Sequence, residues 1–217
     1  MITRILVGLA LGPAFLAALF FLPPVPLAVV VAVIAAMASF ELLRASKVAH
    51  HNGMYVYTAL AAAAIPLGHS LGYGSWTARV VSILLMAALF LPALGRYGTG
   101  SEVRFEHIIV CLFGGVGIPL FLSALVQLKR LDNGQFYVLL PVICAFTTDI
   151  GAYFVGVFFG KHRGITQVSP NKSLEGFVGG VLSGCLFMLV YGLLVGWAGH
   201  IEVRLSVMAL YGLLGSA

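Results

Sequence analysis

The chain has 217 residues, of which 61% are hydrophobic and only 9% are charged, and its mean hydropathy is +1.07. A soluble core cannot bury this much apolar surface, so the composition excludes a soluble globular protein and indicates an integral membrane protein. The net charge of +5 does not point to nucleic acid, because no soluble module carries basic residues interleaved with aromatic ones. The basic residues are instead expected in cytoplasmic loops, next to anionic headgroups.

Apolar runs of about 17 to 25 residues, which are long enough to cross a bilayer as helices, recur along the whole chain. They predict about seven spans followed by a truncated eighth. In chain order these cover residues 5–22, 25–43, 55–71, 80–94, 107–128, 136–159 and 177–197, with a short run from 203 to the end. The period-two alternation of a membrane barrel is absent. The predicted fold class is therefore all-α, a polytopic integral membrane helix bundle, with residues 1–217 forming a single transmembrane domain.

The basic residues also orient the chain. If the N-terminus is cytoplasmic, the inner loops hold Arg4, Arg44, Lys47, Arg96, Arg104, Lys161, Arg163 and Lys172, and the outer loops hold Arg79, Lys129, Arg130 and Arg204. The positive-inside rule favours this arrangement, although the pair Lys129 and Arg130 departs from it locally. The pattern is typical of a multi-pass protein of the bacterial inner membrane, with the segment 161–175 on the cytoplasmic side.

Glycines recur at helical spacing in the sixth and seventh spans. They are Gly156 and Gly160 in the sixth, and Gly176, Gly180, Gly184, Gly192 and Gly196 in the seventh. Small residues four apart let helices approach closely in lipid, so we expect these spans to pack tightly against their neighbours. In an alternative interpretation, the glycines make room for a ligand.

Asp149 lies about half-way along the sixth span. A carboxylate at this depth costs a few kcal/mol unless it faces protein, water or a cation, so we expect Asp149 to have a partner. One alternative is a structural pairing with the hydroxyls of Thr147, Thr148 or Tyr153. The other, which we favour, is metal or proton chemistry.

The sixth span is followed by the densest polar segment of the chain, residues 161–175. Its cations suit phosphate oxygens, although a basic loop that merely obeys the charge rule would look similar. Serines, a proline and an acidic residue then mark a helix start, whose free N–H groups form an anion site. The candidate phosphate-binding residues are Lys161, Arg163, Ser169, Ser173 and Glu175, and the candidate catalytic residues are Asp149 and Lys172.

Three stretches of this region resemble the middle of the phosphatidate cytidylyltransferases, also called CDP-diglyceride synthases. They are TDIGAYFVG at 148–156, FGKH at 159–162 and SPNKSLEGF at 169–177, with Gly179 and Gly180 beyond them. The resemblance is specific in order and spacing here and is only a compatible pattern of apolar helices elsewhere. Two positions depart from the pattern: Asn171 stands where a lysine is common, and Ser173 where a threonine is common. The first change removes one cation from the predicted phosphate site.

The resemblance implies an Mg²⁺-dependent reaction in phospholipid biosynthesis, in which CTP and phosphatidic acid give CDP-diacylglycerol and pyrophosphate. A lipid phosphate oxygen would attack the α-phosphorus of CTP, a transfer that needs positioning and charge neutralisation more than covalent catalysis. Asp149 is then the candidate metal ligand. CTP is cytosolic, which agrees with the orientation obtained from the basic residues.

The C-terminal signature of that family is absent from the 217 residues. It comprises a Gly-Asp-Leu start, a serine with a Lys-Arg pair, a Lys-Asp pair and a glycine-rich stretch ending in Asp-Arg-x-Asp. The principal metal ligands are therefore expected beyond Ala217, and the activity of the chain alone is left open. A fragment, a split enzyme completed by a second chain and a degenerate paralogue are the alternatives. A second functional hypothesis is a non-catalytic polytopic membrane protein, either transporter-like or an assembly partner of lipid enzymes.

Overall fold

The computed structural model of the protein describes residues 2–47, 52–95, 97–98, 103–162, 164 and 172–216. The helices are α1 (Ile2–Phe21), α2 (Pro24–Ala45), α3 (Asn52–Ser70), α4 (Gly74–Gly95), α5 (Phe105–Leu112), α6 (Ile118–Lys129), α7 (Gly134–Tyr137), α8 (Leu140–Phe159), α9 (Leu174–Gly199) and α10 (Leu205–Ser216). A π-helical turn, Phe113–Gly117, joins α5 to α6. No β-strand occurs in these ranges, and the predicted all-α class is confirmed.

Each predicted span lies on helical structure. Five stretches are long and apolar enough to cross a membrane: Pro24–Ala45, Gly74–Gly95, Phe105–Lys129, Gly134–Phe159 and Leu174–Gly199. The predicted third span corresponds to α3, which has 19 residues. The short final run corresponds to α10, which has 12 residues. The chain is therefore a multi-pass membrane protein.

The chain forms two compact units, Met1–Tyr137 and Val138–Ala217. In the first unit, α3 packs against α2 and α4. Its core includes Leu43, Leu85, Leu89 and Ile108, all buried. The prediction that residues 1–217 form a single domain stays a prediction.

Lys129 and Arg130, the pair that departs from the positive-inside rule, both bind the C-terminal ends of other helices in the first unit. Nζ of Lys129 donates hydrogen bonds to Leu19 O at 2.7 Å and Phe20 O at 2.6 Å. Arg130 Nη1 donates to His69 O at 2.6 Å. The last carbonyls of a helix lack intrahelical partners and carry partial negative charge, so cations stabilise them. The capping of these two helix ends thus accounts for both charges.

The second unit consists of α8, α9 and α10, which approach one another through glycines. A Cβ atom on Gly180 would lie 3.0 Å from Thr148 O and 3.1 Å from Ala152 Cβ. On Gly212 of α10, a Cβ would lie 2.6 Å from Cys185 Cα. Any side chain at these glycines would push the neighbouring backbones apart. The prediction of close packing around the last two long spans is therefore confirmed.

Gly179 allows a direct test of this packing. A Cβ here would overlap Val155 Cβ and lie 2.5 Å from Val155 Cγ2, whereas a Cβ on Gly196 would meet nothing closer than 3.6 Å. Overpacking of this kind costs about 1–3 kcal/mol. We therefore expect Gly179→Ala to lower the thermal unfolding midpoint in detergent by several degrees, and Gly196→Ala to leave it unchanged or raise it. Equal midpoints for the two variants would contradict the packing described here.

Candidate functional site

The site begins at the start of α9, where Ser173 is the N-cap. Its Oγ accepts a hydrogen bond from the Gly176 N–H at 3.1 Å, which satisfies one of the free donors of the first turn. Ser173 is only 6% exposed, because its hydroxyl lies close to the end of α8. The predicted helix start with a serine cap and Glu175 in the first turn is confirmed.

Glu175 joins this helix start to the segment that leaves α8. Its carboxylate accepts hydrogen bonds from the backbone N–H of Lys161 at 3.2 Å and of His162 at 3.2 Å. Nδ1 of His162 lies 2.5 Å from Oε1, a contact that requires a proton on Nδ1 because an ionised carboxylate only accepts. The Leu174 N–H also donates to His162 O at 3.1 Å. We call this set of contacts the Glu175 clasp.

The clasp gives Glu175 and His162 structural roles that could not be recognised from their residue types alone. Both carboxylate oxygens of Glu175 accept hydrogen bonds from the protein itself. His162, to which the sequence analysis gave no role of its own, is its direct partner. The one signal that singled out His162 was its place in the FGKH stretch.

The two described lysines of the segment 161–175 remain available to bind a ligand. Lys161 and Lys172 are exposed, and neither forms an ion pair within the described ranges, where the pairs are Arg104 with Glu106 and His162 with Glu175. Arg163 and Ser169, also predicted to bind phosphate, lie outside the described residues. The segment therefore presents free ammonium groups beside the N-terminus of α9, where partial positive charge already accumulates.

Asp149 lies near the middle of α8 and is exposed. No hydrogen bond or ion pair to its carboxylate is present in the part of the chain that the structure describes. Thr147 Oγ1 bonds instead to Ile143 O at 2.8 Å, and Thr148 Oγ1 is buried without a partner among those residues. The alternative of a structural pairing with neighbouring hydroxyls, which we did not favour, is therefore not found among the described residues.

Asp149 and the clasp lie at different depths along the axis of α8, Asp149 near the middle of the helix and the clasp just beyond its C-terminal end. Ten residues separate Asp149 from Phe159 at the end of the helix, which corresponds to about 15 Å along the axis. The structure thus brings Lys161, Ser173 and Glu175 together at the helix ends and places Asp149 deeper in the span.

The described residues contain no group of three or more His, Cys, Asp or Glu side chains that could hold a metal ion. Mg²⁺ in nucleotide sites commonly uses one or two carboxylates and completes its shell with water and substrate phosphates. A single exposed carboxylate without a protein partner, as at Asp149, fits one such ligand.

A groove of about 440 Å³ lies on the surface of the second unit, next to the clasp. Its lining is formed by Val155, Leu174, Glu175, Val178, Gly179, Leu182 and Ser183. Apart from Glu175, the sequence analysis gave these residues no binding role. Their recurrence on one side of α9 is the signal that indicates a shared surface.

We expect the loss of Glu175 to open the segment between α8 and α9. In Glu175→Ala, the N–H groups of Lys161 and His162 lose their acceptor, so trypsin should cleave after Lys161, Arg163 or Lys172 faster than in the unmodified chain. Glu202→Ala, which removes an exposed glutamate elsewhere in the second unit, serves as the matched control. Identical digestion rates, measured by mass spectrometry, would rule out a restraining role for the clasp.

The chain is similar in sequence to several bacterial enzymes named phosphatidate cytidylyltransferase. It is 29% identical to the phosphatidate cytidylyltransferase of Mycobacterium bovis over 94% of this chain and 70% of the relative. Identity to the enzyme of that name from Staphylococcus haemolyticus is 30%, over 74% and 61%. For Bacillus subtilis the identity is 26%, over 88% and 71%. These matches cover only 61 to 71% of the relatives' lengths. A sequence profile described as the cytidylyltransferase family matches residues 2–217, and the chain belongs to that family.

Proposed function

We propose that the protein acts as a phosphatidate cytidylyltransferase, forming CDP-diacylglycerol and pyrophosphate from CTP and phosphatidic acid. The proposal rests on the start of α9. There a capped helix N-terminus, the Glu175 clasp and two lysines that form no ion pair with any described residue stand at the end of a membrane span. This combination suits a phosphorylated substrate whose other part is in the bilayer.

In the reaction, a phosphate oxygen of phosphatidic acid forms a bond to the α-phosphorus of CTP. The bond from that phosphorus to the oxygen bridging to the β-phosphate breaks, and pyrophosphate leaves with the bonding pair. Negative charge accumulates on the phosphate oxygens, so fixed positive groups lower the barrier. Lys161, Lys172 and the N-terminus of α9 supply such charge, and we include Arg163 and Ser169 in the same phosphate-binding set.

Asp149 has a different role because of its depth. A single phosphate group cannot span the roughly 15 Å that separates Asp149 from the end of α8. We assign the lysines and Asp149 to different phosphate groups of the substrate pair. Asp149 would hold Mg²⁺, which neutralises phosphate charge when bound. Further ligands would come from outside the described residues, in this polypeptide or in a second chain.

Ser173 and Glu175 act on the substrate indirectly in this proposal. The Ser173 hydroxyl caps α9 through Gly176, and Glu175 fixes the backbone at Lys161 and His162. Both therefore position the cations. A phosphate contact from the Ser173 hydroxyl proton remains compatible with its accepting role.

We also propose that the protein lies in the bacterial cell membrane, with its N-terminus and the segment 161–175 in the cytoplasm. The relatives named above are bacterial, and CTP is available on that side. The distribution of basic residues supports the same orientation.

The function is tested by supplying α-³²P-labelled CTP and phosphatidic acid to membranes that contain the chain. We expect labelled CDP-diacylglycerol, and a loss of about 10²- to 10³-fold in Asp149→Asn, comparable to removing one electrostatic contact in an active site. Asp132→Asn, which changes an exposed aspartate of the first unit, should retain activity. No product from the unmodified chain, with or without a second chain supplied, would favour a non-catalytic role.

The orientation is tested by cysteine labelling. In a variant lacking Cys111, Cys144 and Cys185, a cysteine introduced by Gly164→Cys should react with a membrane-impermeant maleimide only in inside-out vesicles. A cysteine introduced by Asp132→Cys, in a predicted outer loop, should react only in right-side-out vesicles. The opposite pattern would refute the proposed topology.

A further inference from the structure

The groove beside the clasp is polar at one end and mostly apolar along the rest of its length. Glu175 stands at its mouth, and Leu174, Val178 and Leu182 present large apolar side chains along it at four-residue spacing. Gly179 contributes no side chain to the lining. The groove thus leads from the polar clasp into the apolar part of α9.

We propose that this groove holds one acyl chain of phosphatidic acid, with the lipid phosphate at Lys161 and Lys172. The inference rests on the proposed function and specifies where its lipid substrate binds. The two ends of the groove differ in chemistry in the same way as the two ends of an anionic lipid, and this match identifies the occupant.

The dimensions of the groove agree with this occupant. Leu174 and Ser183 are nine residues apart on α9, which corresponds to about 13 Å along the helix axis. The hydrocarbon core of a bilayer is about 30 Å thick, so one leaflet contributes about 15 Å. An acyl chain that begins at the clasp therefore stays beside the groove across most of its leaflet.

Charge complementarity distinguishes phosphatidic acid from bulk lipid. The Glu175 carboxylate accepts hydrogen bonds from His162 and from backbone N–H groups, so its oxygens are held by the protein at the mouth and are not paired with either lysine. The exposed ammonium groups of Lys161 and Lys172 have no carboxylate partner in the described ranges. A phosphomonoester can contact these cations directly, whereas the quaternary ammonium of phosphatidylcholine would be repelled by them.

Photocrosslinking tests the groove without requiring turnover. The full chain is placed in phosphatidylcholine vesicles that contain phosphatidic acid with a diazirine in one acyl chain, and labelled residues are mapped by mass spectrometry. We expect label at Leu174, Val178 and Leu182, removed by unlabelled phosphatidic acid. Phosphatidylcholine with the same diazirine chain should label the lipid-facing helices without concentrating there. Equal groove labelling by both probes would overturn the proposal and identify the occupant as bulk lipid.

A matched pair of variants tests whether the chain enters the groove. Leu182 and Leu193 are both exposed on α9, at 65% and 57%, but only Leu182 lines the groove. We expect Leu182→Trp to reduce groove labelling by about tenfold, a factor that corresponds to 1.4 kcal/mol. Leu193→Trp should leave labelling unchanged, and equal thermal midpoints would show that both variants fold. Unchanged labelling in Leu182→Trp would also overturn the proposal.

Product formation by the unmodified chain is measured in the same vesicles, which separates the two claims. Product without specific groove labelling refutes the acyl-chain site and leaves the proposed function in place. Specific labelling without product supports the lipid site and refutes catalysis by this chain.

Discussion

The candidate site depends on the close approach of α8 and α9. In lipid there is little hydrophobic force between helices, so packing and backbone contact must hold them together. Glycines make this possible: a Cβ on Gly176 would lie 2.9 Å from Ala152 O, and a Cβ on Gly180 would lie 3.0 Å from Thr148 O. If the helices stood apart, the end of α8 would not lie beside the start of α9.

The Glu175 clasp is a consequence of this approach. It joins residues that are 13 and 14 positions apart in the chain, and it fixes the backbone from which Lys161 projects. An acidic residue in a phosphate-binding segment would by itself repel the ligand. Here its charge is used to hold the segment, and the cations are left for the substrate. The same arrangement places the mouth of the apolar groove beside those cations.

The helices could be predicted from the sequence because a bilayer leaves the backbone few alternatives. The cap at Ser173 was also predictable, since its chemistry is local. The partnership of His162 with Glu175 was not, because it depends on the path of the loop between α8 and α9. The helix-capping roles of Lys129 and Arg130 are likewise contacts between distant parts of the chain, and a rule based on loop charge cannot detect them.

If the start of α9 binds the lipid phosphate, Lys161 and Lys172 must contribute to the affinity for phosphatidic acid. Equilibrium binding of phosphatidic acid is therefore measured for the purified chain in detergent and for a variant carrying both Lys161→Met and Lys172→Met. We expect the double variant to bind phosphatidic acid much more weakly, while Lys47→Met, which removes a basic residue of another loop, binds normally. Undiminished binding of phosphatidic acid by the double variant would contradict this assignment.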